Sequence, residues 1–136
     1  LSAFWDVLPT VAELVGQPVP DTIDGVSFVP TLLGKKGQEE HKYLYWEFHE
    51  KKGRVALRQG QWKAVRYNVA ADPDSPLELF DLSADPGETV NVADQHPEVV
   101  TKMNSQIKSA RTASKLPKFN FPLVRKGGSH GGVRKK

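Results

Sequence analysis

Apolar residues in the first fifteen positions fall at helical spacing. Phe4, Val7, Leu8, Val11, Leu14 and Val15 recur at intervals of three and four, with Asp6 and Glu13 off that stripe, which predicts an amphipathic helix over 4–15. Ser2 is placed to cap it, Pro9 forces a later start or a bend, and Gly16 suits the position just past its end. Periodicity is then lost through 17–40, where Pro18, Pro20, Asp24-Gly25, Pro30 and Gly34 punctuate a loop with one short helical turn at 29–33. From Lys42 the chain becomes β-prone, with strands predicted at 43–49, 54–58, 62–67 and 77–82. Short links between them favour an antiparallel meander, since parallel pairing needs long crossovers. Asp85-Pro86-Gly87-Glu88 and Asn91 supply turns, and Pro97 with His96 before it opens a last helix over 97–113. Val99, Val100, Met103, Ile107 and Ala110 form its apolar stripe. The expected fold is α+β: a four-stranded antiparallel sheet packed with a C-terminal helix and preceded by an N-terminal helix.

Composition narrows the possibilities. At 136 residues the chain makes at most one domain of average size, and without cysteine it has no disulfide framework, thiolate metal site or cysteine nucleophile. Its formal charge of +3 is unevenly spread. Residues 115–136 carry seven of the 19 basic side chains and no acid, leaving 12 basic against 16 acidic residues in the remainder. The body is therefore acidic, which argues against a specific nucleic-acid interface. The basic tail alone predicts at most salt-dependent, non-specific nucleic-acid binding. No apolar run approaches membrane-span length, and the first residues lack the basic stretch of a signal peptide. A chain that starts at Leu1 already in a helical pattern reads as the continuation of an upstream segment.

Candidate chemistry is sparse. His41, His49, His96 and His130 are widely separated, without metal-ligand spacing. Asp72, Asp74, Asp81 and Asp85 lack the spacing of an EF-hand and sit among Pro73, Pro76 and turn residues. Gly127-Gly128 and Gly131-Gly132 precede no helix and read as linker. The richest cluster is 47–54, where charged groups surround a hairpin tip. Lys51 and Lys52 read there as a solvated tip. Counting along an extended strand puts Tyr43, Tyr45, Glu47 and His49 on one face and Leu44, Trp46 and Phe48 on the other. The all-apolar face is expected to take the core, leaving Glu47 and His49 accessible.

Three strings carry a resemblance. Glu78-Leu79-Phe80-Asp81-Leu82 continues through Asp85-Pro86, Glu88, Asn91 and Ala93. Upstream stand Arg58, Gly60 and Trp62-Lys63, and before them Asp6-Val7-Leu8-Pro9-Thr10 followed by Gly16 and Asp24-Gly25-Val26-Ser27. In this order and spacing they resemble the C-terminal part of type I, formylglycine-dependent sulfatases of the alkaline phosphatase superfamily, over roughly residues 2–112. The resemblance implies a parent enzyme in which a hydrated formylglycine, with calcium, releases sulfate from a sugar or aryl sulfate, in the periplasm or outside the cell. The formylglycine string C/S-x-P-x-R is absent here, and the family's calcium ligands lie mostly upstream. The fragment alone is therefore expected to carry no catalytic residue, metal or cofactor, and to hydrolyse nothing.

The resemblance divides the chain into 1–40, a helix and loop leading from the missing catalytic domain; 41–114, the C-terminal subdomain; and 115–136, a basic tail disordered from Arg125 onward. Its helix at 4–15 is expected to lie against that missing domain, and in its absence to drive self-association. By the same resemblance, loops of the subdomain rim the substrate pocket. Glu47, His49, Arg54 and Arg58 are then the expected substrate contacts, because guanidinium and imidazole groups donate to sulfate or sugar hydroxyls and a carboxylate accepts from hydroxyls. Trp46 and Trp62 are able to stack on a sugar but read more simply as core. The alternative function is a stand-alone sulfated-glycan-binding module.

Overall fold

The computed structural model describes residues 1–121, so the expected disorder beyond Arg125, and His130, lie outside the described residues. Two compact units are present, Leu1–Leu44 and one beginning at Tyr45.

In the first unit a 3-10 turn, Phe4–Asp6, runs directly into helix α1, Val7–Leu14. This start leaves Pro9 in the first helical turn, where its missing N–H loses nothing. Gly16 adopts a left-handed φ of 68°, and the amide of Gln17 closes back on the Ala12 carbonyl at 2.8 Å, the expected glycine stop. Ser2 is not the cap; the Asp6 carboxylate instead accepts from the Ala3 amide. The buried side of α1 holds Pro9, Thr10 and Ala12, while Phe4, Val7, Leu8, Val11, Leu14 and Val15 are exposed. Helix α2 is a single turn, Val29–Leu32.

The sheet has strands β1 (Leu44–Phe48), β2 (Arg54–Gln59), β3 (Trp62–Tyr67) and β4 (Leu77–Asp81), in that spatial order, so β1 and β4 are its edges. β2–β3 and β3–β4 are antiparallel, the first pairing Leu57 with Ala64 and the second Ala64 with Leu79. That register gathers Val55, Leu57, Ala64, Leu77 and Leu79 on one face, under Met103 and Ile107 of helix α3, Pro97–Ala110. Arg66 shares this face. Burial pushes its guanidinium below its ordinary pKa, opposed by Asp74 and Asp72, and its N–H groups bond Ser75 O, Pro73 O and Asn104 Oδ1.

Of the residues expected on the core face of β1, Leu44 is buried at 2% exposure, but the other two are not. Trp46 and Phe48 are 36% and 46% exposed on the face away from α3, whereas Tyr45 and Glu47 turn toward the end of α3. Arg111, just past α3, offers Glu47 a charged partner on that side of the strand. Trp62 packs edge-tilted on His96, with ring centroids 4.8 Å apart. At the β1–β2 tip Lys51, Lys52 and Gly53 all have positive φ, and both lysines are exposed. A Cβ at Gly53 would lie 2.9 Å from Val69 Cγ2, so only glycine fits.

Candidate functional site

The resemblance strings prove to be internal wiring. In the first unit Asp6 is a hub, with its side chain 1% exposed. Its Oδ2 accepts from Ala3 N at 2.7 Å, and its Oδ1 accepts from Val26 N at 2.9 Å and meets His41 Nε2 at 2.8 Å. Thr10 donates to the Asp6 carbonyl and its hydroxyl oxygen accepts from Phe28 N. Burial would raise the Asp6 pKa, but the Val26 and Ala3 amides and the His41 ring outweigh it and hold the carboxyl below its usual range. Gly25 is fixed for a steric reason, since a Cβ there would stand 2.3 Å from the Trp5 carbonyl oxygen. Nothing in the hydrophobic pattern marks Asp6; only its place in one of the three resemblance strings did.

In the second unit the Asp85 carboxylate accepts from the amides of Thr89 and Val90, chiefly the latter holding it below the usual carboxylate range. Asn91 Oδ1 accepts from Leu79 N and Ala93 N, tying the edge of β4 to the loop beyond it. Lys63 Nζ reaches both oxygens of Glu88, at 2.5 and 2.6 Å. Thus Lys63 of one string clamps Glu88 of the other.

The four predicted contacts separate onto two faces. Glu47 accepts from Tyr45 OH at 2.7 Å and from Arg111 Nε at 2.8 Å, and its second oxygen lies 3.2 Å from His49 Nε2. Burial and then Glu47 push the Tyr45 hydroxyl above its ordinary pKa. The His49 ring sits between Phe119 and Phe121, with centroids 5.2 and 4.6 Å away, so those phenylalanines pin the segment after α3. Its Nδ1 is buried without a hydrogen-bond partner. Sequence reasoning missed Arg111, because its meeting with Glu47 depends on where α3 ends, and gave Tyr45, two residues from Glu47 on the same strand, no role.

Arg54 and Arg58 lie on the opposite face. Arg54 stacks over Phe48 and Tyr67, with the guanidinium carbon 5.6 and 5.4 Å from the ring centroids. Arg58 lines a groove with Trp46, Ala56, Lys63, Leu82 and Glu88, and its Nε is buried without a partner. Among the described residues no three His, Cys, Asp or Glu side chains gather to hold a metal ion.

Comparison with known proteins places this geometry. Residues 3–113 match the family described as N-sulphoglucosamine sulphohydrolase, C-terminal. Bovine (Bos taurus) arylsulfatase A is 35% identical over 129 residues, covering 79% of this chain and 25% of that protein. The N-acetylgalactosamine-6-O-sulfatase of Bacteroides thetaiotaomicron is 34% identical over 119 residues, covering 79% and 23%. Among solved structures, a 2-O GAG sulfatase aligns with a TM-score of 0.66 at 28% identity, over 77% of this chain and 23% of its own. A phosphonate monoester hydrolase from Silicibacter pomeroyi aligns with a TM-score of 0.59 at 25% identity, over 78% and 24%. This chain spans about a quarter of the length of these relatives.

Proposed function

The chain belongs to the sulfatase C-terminal family of the alkaline phosphatase superfamily, and from that premise we propose that it completes a sulfuric ester hydrolase acting on a sulfated carbohydrate or aryl sulfate. The match of residues 3–113 to that family carries the reading. The chain's own residues do not fit a formylglycine or calcium site: the sequence has no C/S-x-P-x-R string, and no metal-holding group occurs among the described residues. We assign both groups, and the chemistry of sulfate release that they supply when bound, to the remainder of the enzyme. The enzyme works in the periplasm or outside the cell; among the described residues no helix is long and apolar enough to cross a membrane.

In this proposal the second unit lends side chains to the substrate. Arg54 and Arg58 reach it from the open sheet face, and Glu47 with His49 from the other side of edge strand β1, where 16% and 24% of their side chains remain exposed. In the full-length enzyme, Arg58→Ala or His49→Ala is expected to lower kcat/KM roughly 10–100-fold, about 1.4–2.7 kcal/mol, mainly through KM. Unchanged kinetics on a sulfated sugar in folded variants would remove the residue concerned from the site.

The first unit supplies the docking helix. Its exposed stripe of Phe4, Val7, Leu8, Val11, Leu14 and Val15, with Phe4 89% exposed, would pack on the catalytic domain. Alone, the 136-residue chain is expected to self-associate through that stripe. Sedimentation velocity checks this: Val11→Glu, placed in the middle of the stripe, is expected to shift oligomers to monomer. A wild-type chain that is monomeric at high concentration would count against the idea.

A further inference from the structure

We propose that residues 111–121 form a strap that opens over His49, so that the chain carries its own gate on that substrate contact. The assignment rests on the proposed reading of His49 as a contact and adds its regulation. The family match ends at residue 113, so most of the strap stands beyond the matched domain. Helix α3 ends at Ala110, and the backbone turns extended at Arg111. Both ends of the strap are held. Arg111 pairs with Glu47, and Phe121 is buried against Gly53 and His49, with the Arg111 guanidinium carbon 5.7 Å from its ring centroid. Between them, residues 115–120 are all exposed. Asn120 closes this middle portion on itself, its Oδ1 accepting from Ser114 N at 2.8 Å and its Nδ2 donating to Ser114 O at 2.7 Å. A 3-10 turn, Pro117–Phe119, then lays the Phe119 ring on His49. Segments with little buried apolar surface open locally, well below the free energy of global unfolding. Phe119 is itself 38% exposed, so lifting it gives up little buried area.

The covered atom gives the strap something to gate. His49 Nε2 lies 3.2 Å from Glu47 Oε2, and a carboxylate at that nitrogen favours the Nε2–H tautomer, leaving Nδ1 as the acceptor. Nδ1 is buried without a partner, in a ring flanked by both phenylalanines. A buried acceptor left unpaired costs free energy, and lifting Phe119 lets a donor reach it. The group that fits is a hydroxyl or N–H on the alcohol portion of the substrate, because an oxyanion has no proton to give. While the strap is closed, the contact is withheld. A binding-competent state populated at about 10% weakens apparent affinity roughly tenfold.

Diethyl pyrocarbonate, which acylates an imidazole nitrogen with an accessible lone pair, tests the strap on the 136-residue chain, with the more exposed His96 as internal reference. His49 should react roughly tenfold more slowly than His96, and Phe119→Ala or Asn120→Ala should raise its rate roughly tenfold with that of His96 unchanged. The amides of Phe119 and Asn120, which donate to Leu116 O and Pro117 O, should exchange roughly a hundredfold faster than those of β2 and β3. In the full-length enzyme the sign of the effect decides. A gating strap gives a gain of about threefold to tenfold in kcat/KM, through KM, in Phe119→Ala or Asn120→Ala, whereas a strap that only supports the fold gives none. Adding His49→Ala should abolish that gain. Strap amides that exchange only with the whole sheet, or folded variants without the gain while His49→Ala remains impaired, would overturn the gate and leave the contact standing. Unchanged kinetics in His49→Ala would remove the contact and the gate with it.

Discussion

Replacing Asp6 by alanine is expected to unfold the first unit, with a stability loss of about 3–5 kcal/mol. The substitution strands the amides of Ala3 and Val26 and the ring of His41 in a place that water reaches poorly. Hydrogen exchange of the Val26 and Phe28 amides reads the effect locally, and urea unfolding reads it globally. Asp24→Ala, at an exposed neighbouring residue, serves as the control and should change little. Gly25→Ala is expected to match Asp6→Ala, because the added methyl would overlap the Trp5 carbonyl. The same hub sets an acid limit. The folded-state pKa of Asp6 is depressed, so its contribution is fully present above the ordinary carboxylate value of about 4 and is lost as pH falls through the folded value. In Asp6→Asn that loss on acidification should disappear. Protected Val26 exchange in Asp6→Ala would show that the hub holds nothing.

The second large effect is expected at Glu47. Glu47→Ala removes the acceptor shared by Tyr45, Arg111 and His49, and leaves the Arg111 guanidinium, whose side chain is 15% exposed, without its carboxylate. A loss of about 2–4 kcal/mol follows from breaking such a shielded pair from one side. Because Arg111 also donates to Asn120 Oδ1, the segment carrying Phe119 and Phe121 should loosen in the same variant. A double-mutant cycle between Glu47 and Arg111 is expected to give a coupling of roughly 1.5–3 kcal/mol. Glu47→Gln keeps an oxygen for both donors and separates structure from substrate contact. A folded Glu47→Gln enzyme with reduced kcat/KM supports contact, whereas full activity assigns Glu47 to holding the hairpin on α3. Additive single-mutant effects within about 0.5 kcal/mol would show that the bridge couples nothing.

Local order alone fixed much of this chain. The four strands, the one-turn helix at Val29–Leu32 and α3 are each encoded within a few residues, by alternation, by turn residues, or by Pro97 and an apolar stripe. The three strings identified the family, because their order and spacing survive without any knowledge of contacts. What those strings do was not legible, since it depends on pairs far apart in sequence: Asp6 with Val26 and His41, Lys63 with Glu88, Asn91 with Leu79. Which face of β1 is covered was misjudged for a related reason. Hydrophobicity favoured Trp46 and Phe48 for the core, but α3 ends at Ala110 and so delivers Arg111 to Glu47. That charge-assisted bond shields Glu47, while Leu44 alone of its face stays in the core and Trp46 lies beside Ala56 and Arg58 on the open sheet.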